Sequence, residues 1–410
     1  MQFLRDKLDE VGKHFEKGGK LEWLYPFYEA NDTILYNPGE VTEGTTHVRD
    51  AMNLKRMMIT VVVALLPIVL WAMFNTGYQA SLAVEQGAAA YQGWQVDLWR
   101  WVGFEFDSGS VIGNVTLGAL FFLPVFIMVG LVGGHIEVAF ALIRKHEINE
   151  GFLVTWFLFA LTLPPTIPLW QVALGIAFGV IFGKEVFGGT GMNIFNPALT
   201  ARAFLFFAYP AQISGDQVWT AAQSTGAVDG WSGATWLGRV AADGVGVLEA
   251  DPNLWLKSFF GLVPGSMGET STFLCLVGAA ILILSKVGSW RTMAGVVLGT
   301  AAMTFTLNAI GSDTNPMFAL PFEWHIVLGG WAFGMVFMAT DPVSSAFTDL
   351  GKFVYGIGIG VMVVLIRIVN PAYPEGMMLA ILFMNMFAPL VDHFVVQANV
   401  KRRKARYGLK

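Results

Sequence analysis

The chain has 410 residues, 55% of them hydrophobic and only 13% charged, with a formal net charge of −5 and a mean hydropathy of +0.57. Soluble domains carry about 25% charged residues, so the composition excludes an ordinary soluble globular protein, and the acidic balance argues against a nucleic-acid partner. The single cysteine, Cys275, excludes an intrachain disulfide and an iron–sulfur cluster held by this chain alone, since such a cluster takes four ligands.

In chain order, residues 1–56 form a polar segment carrying Arg5, Lys7, Lys13, Lys17, Lys20, Arg49, Lys55 and Arg56, without the apolar stretch of a cleavable signal. Five apolar runs follow, at about 57–74, 113–134, 152–164, 168–187 and 200–213. A polar stretch at 214–270 separates this first half, 57–213, from five further runs at about 271–286, 290–311, 325–341, 353–370 and 376–397. A basic tail, KRRKARYGLK, closes the chain over 398–410. The expected fold is an all-α polytopic membrane protein of about ten transmembrane helices. Two five-helix halves, 57–213 and 271–397, would allow an inverted repeat. Short spans joined by Gly and Pro, as in ALTLPPTIPLW, predict broken or tilted helices, tolerated in a bilayer where protein covers the freed backbone.

Lys and Arg place both termini in the cytoplasm by the positive-inside rule, which requires an even number of spans. The 214–270 stretch is poor in Lys and Arg and holds Asp216, Asp229, Asp243, Glu249 and Asp251, so it is expected on the opposite side. Within it, Ser232-Gly233-Ala234-Thr235 sets one hydroxyl behind two nearly side-chain-free positions. A simple turn would need the glycine but not Ala-Thr after it.

Ionisable residues inside apolar runs are functional candidates because their burial is costly. His135 and Glu137 follow Gly133 and Gly134 in GGHIE; Asp341 stands in MATDPVSSAF; Asp392 and His393 lie about four turns into the last run, with Asn385 two turns earlier and no Lys or Arg within two turns. Lys184 and Glu185 read as a snorkelling ion pair at a span end. Asp341-Pro342 reads equally as a helix stop with a cap. In GGTGMNIFNPALTARAF, Asn193 and Asn196 lie within one turn of each other, and two readings stand. Their carboxamides suit the uracil-like edge of an isoalloxazine ring, or Asn196-Pro197 ends one element and caps another. Asn-Pro-x-x-x-Ala at 196–201 echoes Asp-Pro-x-x-x-Ala at 341–346; strict inversion of five spans would place the two on opposite faces, whereas the loop count places both inside. The GIGIG at 356–360 lies inside an apolar run and reads as helix packing through small residues, not as a dinucleotide site. No protein-held metal site is expected, and no residue is singled out as catalytic in its own right.

Together, SGAT, GGHIE, GGTGMNIFNPALTARAF and the leader HFEKGGKLEWLYPFYEANDTILYNPGEVTEGTTHVRDAMNLKRMM resemble the B-subunit family of bacterial Na⁺-translocating NADH:quinone oxidoreductases, over essentially the whole chain. The RnfD component of the Rnf complex is a related member with a shorter leader. The resemblance implies a urea-transporter-like core and FMN attached through phosphate to Thr235, with Ser232, Gly233 and Ala234 completing the modification pattern. It implies riboflavin near Asn193 and Asn196, ubiquinone as substrate near Gly133 and Gly134, and a sodium pathway through Glu29, Glu137, Asp341 and Asp392. The implied protein passes electrons from FMN through riboflavin to ubiquinone while Na⁺ is exported. It would not bind NADH itself, and would sit in the bacterial inner membrane with its FMN loop periplasmic. Its implied partners are the A, C, D, E and F components of a six-subunit complex, with a separate flavin transferase for maturation. The competing readings are an RnfD-type electron-transport component and a urea-transporter-like channel.

Overall fold

A computed structural model describes residues 2–15, 18–25, 28, 54–144, 148, 151–213, 218–223, 233–370 and 375–408. After a short amphipathic helix α1 (Gln2–Gly12), the first half is built from α2 (Leu54–Glu85), α3 (Trp94–Trp101), α4 (Val111–Arg144), α5 (Gly151–Leu161), α6 (Leu169–Gly183) and α7 (Pro197–Ala208). The polar stretch contributes α8 (Trp236–Asp243) and α9 (Leu254–Phe260). The second half holds α10 (Thr272–Leu284), α11 (Trp290–Ile310), α12 (Phe322–Val327), α13 (Trp331–Phe333) running into a π-turn at Gly334–Met338, α14 (Asp349–Val369) and α15 (Met377–Arg406). A two-residue antiparallel pairing, β1 (Ala89–Ala90) with β2 (Ala222–Gln223), ties the end of α2 to the polar stretch.

Each of the ten apolar runs coincides with helix, but the helices differ in kind. Six described helices are long and apolar enough to cross a membrane. Gly151–Leu161, Pro197–Ala208 and Thr272–Leu284 are apolar but shorter. At 1.5 Å per residue they reach roughly 16–20 Å, less than the ~30 Å hydrocarbon core. The run at 325–341 is broken outright at Leu328–Gly330, where Gly329 takes a φ of 66° that a side chain would resist. Protein buries that break: Leu328 and Val327 are each 2% exposed, which satisfies the condition for irregular backbone at membrane depth. Some helices outrun their apolar stretches, as α2 continues to Glu85 and α15 carries through the basic tail to Arg406.

Close backbone approach holds the bundle together. A Cβ at Gly77 or Gly118 would collide with the backbone of α4 or α2 respectively, and Gly295, Gly299, Gly356 and Gly360 interlock α11 with α14 in the same way. Small residues let these helices approach closely enough for dispersion contacts that lipid cannot replace. The glycines of GIGIG therefore serve packing, as their place in an apolar run predicts.

Candidate functional site

Two pockets occupy opposite ends of the bundle. Helix α2 measures their separation, because Met57, Met58 and Val61 line the first, while Asn75 bonds Val263 O at 3.0 Å and Thr270 Oγ1 at 3.4 Å beside the second. From Met58 to Asn75 is a rise of roughly 25 Å.

The first pocket is lined by Lys184, Thr190, Asn193, Asn196 and Asp341 among apolar side chains. The turn that builds it needs glycine: Gly188, Gly189 and Gly191 hold φ of 122°, 97° and 89°. Asn196 is the N-cap of α7, its Oδ1 accepting from Ala198 N at 3.0 Å and Leu199 N at 3.3 Å, with Pro197 at the first helical position. Its Nδ2 donates to Asp341 Oδ2 at 3.2 Å. The capping geometry is thus present, and it occupies the amide that a ring was expected to meet. Asp341 also accepts from Val343 N at 3.0 Å and Ser344 Oγ at 2.9 Å. The Asn-Pro and Asp-Pro echoes therefore touch. They lie at one end, as the loop count expects and strict inversion would not, because the break before Asp341 and the glycine turn before Asn196 both return the chain there.

Asn193 remains the freer amide: its Nδ2 donates to Phe195 O at 2.8 Å, and among the described residues no donor reaches its Oδ1. Beside it the buried Thr190 hydroxyl oxygen has no hydrogen-bond partner among the described residues. An orphaned hydroxyl, an open carbonyl oxygen and the Lys184 ammonium form a set that meets both donors and acceptors, as on a flavin's pyrimidine edge. By chemistry this donor and acceptor set suits the ring edge of riboflavin.

Lys184 and Glu185 do not pair with each other. Lys184 Nζ bonds Glu137 Oε1 on α4, both side chains nearly inaccessible. Glu185 accepts instead from Arg144 Nη1 at 2.8 Å, and Arg144 Nη2 donates to Glu185 O at 2.6 Å. The snorkelling pair is thus corrected to two crossed bridges that join the end of α6 to α4. Adjacent residues leave a tight turn in different directions, so each reaches a different turn of the neighbouring helix.

The two candidate glycines also separate. Gly133 is buried, and a Cβ there would collide with the Phe152 ring, so its missing side chain is filled from within the chain. Gly134 is half-buried and meets only Phe152 Cε1, at 3.9 Å, so it alone keeps open space for an outside group. Asp392 departs from the expected deep, unpartnered acid. It is half-buried and accepts from Phe347 N at 2.6 Å, Thr348 N at 3.0 Å and Thr348 Oγ1 at 2.5 Å, gathering the chain that enters α14. Glu29 and Ser232 lie outside the described residues.

The second pocket is narrower and surrounds Thr235. Thr235 caps α8, its Oγ1 accepting from Gly238 N at 3.2 Å, while its hydroxyl bonds the Glu375 carboxyl. Thr235 and Ala234 are half-buried and Gly233 is buried. The hydroxyl is therefore a seated cap and not a free loop group. Below it, Arg202 Nη1 donates to Glu269 Oε1 at 2.7 Å and Arg202 Nη2 to Ser266 Oγ at 3.2 Å, while Ser266 Oγ bonds Glu269 Oε2. Arg367, 0% exposed, donates to Glu375 O at 3.1 Å, His325 O at 2.7 Å and Leu328 O at 2.8 Å. Burial pushes the Glu375 carboxyl above the usual carboxylate range, with Arg367 pulling it partly back and Glu269 adding to the rise. The N-terminal amides of α8 favour an anionic ester at that oxygen, while the Glu269 and Glu375 carboxyls in the same lining oppose one. Sequence reasoning passed over Arg202, Glu269, His325 and Arg367. The signal was available: each is an ionisable residue within or beside an apolar run.

Span-capable helices, intramembrane ion pairs and irregular backbone covered by protein define a multi-pass helical membrane protein with a buried site at each end. The chain belongs to the NQR2, RnfD, RnfE family, whose model matches residues 41–401. It is 58% identical over 408 residues to the B subunit of the Na(+)-translocating NADH-quinone reductase of Pseudomonas paraeruginosa, covering 99% of this chain and 100% of that relative. Relatives bearing the same name from Klebsiella pneumoniae subsp. pneumoniae and Stutzerimonas stutzeri are 57% and 58% identical, each covering 98% of this chain and 99% of the relative.

Proposed function

We propose that the chain is the B-type membrane component of a six-subunit, Na⁺-translocating NADH:quinone reductase in the bacterial inner membrane. In this reading Thr235 carries FMN through a phosphoester bond on the periplasmic side, placed there by a flavin transferase. Riboflavin occupies the pocket of Thr190, Asn193 and Asn196 at the cytoplasmic end, and Gly134 marks the approach of ubiquinone. Electrons pass from FMN through riboflavin to ubiquinone. Glu29, Glu137, Asp341 and Asp392 belong to the sodium pathway, and NADH binds to a partner.

The observation that carries the reading is near-full-length identity of 57–58% to relatives named as the B component of that reductase. It favours the quinone-reducing complex over an Rnf-type one, because the family model alone spans both kinds. The pockets add support. Thr235 sits at an α-helix N-terminus suited to an ester phosphate, and the opposite pocket holds unpartnered polar groups suited to a ring. What the chain does in the riboflavin pocket is to orient the ring by Asn193, Thr190 and Lys184 and exclude water with apolar walls; the flavin supplies one-electron chemistry when bound.

The test is in-gel fluorescence of the denatured chain from the assembled complex. Thr235→Ala is expected to abolish the signal and NADH-to-quinone turnover, with a cost of about 0.5–2 kcal/mol from the lost cap. Thr235→Ser, which retains hydroxyl and cap, should preserve the fold and permit modification. Undiminished fluorescence in Thr235→Ala removes Thr235 as the attachment point.

A further inference from the structure

Helix α3 presents three different sides. Trp94, Leu98 and Trp101, with Val102 just past its end, fall within about 100° of arc, and all four are exposed, Trp101 at 83%. Val96 and Trp99 lie on the opposite side and are buried in a cluster with Leu117, Phe121 and Ala221. Asp97 and Arg100 form a third side, charged and exposed, with the Arg100 guanidinium over the Phe106 ring at 5.2 Å. An uncovered apolar face beside a charged one is the pattern of a helix lying in a membrane interface. Tryptophan suits that level because its ring is apolar and its indole N–H is polar.

The packing of α2 on α4 gives the depth of this face. From Arg56, at the basic end, α2 rises roughly 30 Å to Gly77, about the thickness of a hydrocarbon core. Gly77 abuts the Asn114 backbone, and Trp99 Nε1 donates to Gly113 O and Thr116 Oγ1, both at 3.1 Å. Helix α3 is therefore fastened at the level where the hydrocarbon ends. Thr116 shares one side of α4 with Ile112, Leu123 and Ile127, which are exposed and run on from α3 toward mid-membrane. The uncovered face of α3 thus continues the outward surface of a spanning helix.

We propose that α3 is an interfacial anchor whose Trp94, Leu98 and Trp101 face enters the boundary between phospholipid headgroups and acyl chains. Its occupant is lipid, because the face ends at the depth where the hydrocarbon ends and is continuous with the outward side of α4. The inner face of the same helix packs with Ala221, directly before the pairing of β2 with β1. The anchor therefore holds one stem of the polar stretch at the membrane surface.

The test is site-specific photocrosslinking of the full chain in its native membrane, with p-benzoylphenylalanine placed singly at Leu98, Trp101 or Asp97 and each adduct identified by mass. Phospholipid adducts are expected at Leu98 and Trp101, about tenfold above those at Asp97 on the charged side. Adducts mainly to another protein chain at Leu98 and Trp101 overturn the proposal and make α3 a docking helix. Absence of adducts at both positions overturns it by placing the face in water, and equal lipid adducts at Asp97 overturn it by removing the distinction between the sides. An independent measure uses the full chain in vesicles of phosphatidylcholine brominated near the headgroup end of its acyl chains. Bromine should quench less emission in Trp101→Phe, which keeps an apolar ring, than in wild type. Equal quenched emission in the two counts against contact of Trp101 with lipid and overturns the anchor.

Discussion

The two ends of the bundle hold polar groups in different states. At the Thr235 end the described charges of the pocket are engaged: Arg202 with Glu269 and Ser266, Arg367 with three carbonyl oxygens, and Glu375 with Thr235. At the other end the pocket is larger and keeps, among the described residues, Thr190 Oγ1 without a partner and Asn193 Oδ1 open. A buried polar atom without a hydrogen bond costs roughly 1–3 kcal/mol, so one left open in a pocket is available to a guest; at the Thr235 end the orphaned His325 Nε2 lies outside the pocket lining. A site already satisfied offers little to a free ligand. It suits a group that is tethered, which is what an ester on Thr235 would supply.

Removing one partner of a satisfied network should give the largest effect on stability. Arg202→Met leaves Glu269 buried without its counter-charge and is expected to cost about 3–5 kcal/mol. Thermal unfolding of the detergent-solubilised complex measures it; a cost below about 1 kcal/mol would mean that the Thr235 end is not held by its charges. Thr190→Val sharpens the contrast from the other side. It removes a hydroxyl that bonds to none of the described residues, so stability without flavin should stay within about 0.5 kcal/mol of wild type. Riboflavin retention should weaken about tenfold if one hydrogen bond of ~1.4 kcal/mol is lost, as measured by flavin released on dilution.

The smallest expected effect is a pH dependence. Burial raises the Glu375 carboxyl above its unfolded value, so the folded state holds a proton that the unfolded chain releases. The stabilisation is present below the ordinary Glu range and is lost as pH rises through the folded value. Glu375→Gln, which cannot release a proton, should flatten the decline of melting temperature in that window. A decline of equal slope in the variant would assign it to another group.

Much of the fold was legible because it depends on local pattern. Apolar runs mark helices wherever they occur: each of the ten coincides with helix, although among the described helices six are long and apolar enough to cross a membrane and one run is broken at Leu328–Gly330. Cap residues were legible for the same reason, since Asn196 before Pro197 satisfies amides two and three residues away. Half of the site was legible too: the turn glycines at 188–191, Asn193, and Thr235 behind Gly233 and Ala234 all stand in short, unusual strings. Breaks within apolar runs were foreseen as a class, from Gly and Pro. The position of the break at Gly329 was not, because Val327 and Leu328 on its flank continue the apolar pattern without interruption.

By itself, then, the sequence determined the bilayer as solvent, the helices and their caps, and the short strings from which the candidate sites are built. These depend on side chains within about one helical turn of each other, so periodicity carries them. Tertiary structure decided the pairings. Lys184 chose Glu137, 47 positions away, over adjacent Glu185, and Asn196 met Asp341 across 145 positions. It also separated Gly133 from Gly134, since the Phe152 ring from another helix fills the space at one and only grazes the other. Asp392, with no Lys or Arg within two turns in its own helix, found its three donors at Phe347 and Thr348. The physical reason is common to all of these. A buried charge or a side-chain-free surface takes its meaning from whatever the opposing helix presents, and that helix is brought there by packing between segments far apart in the chain.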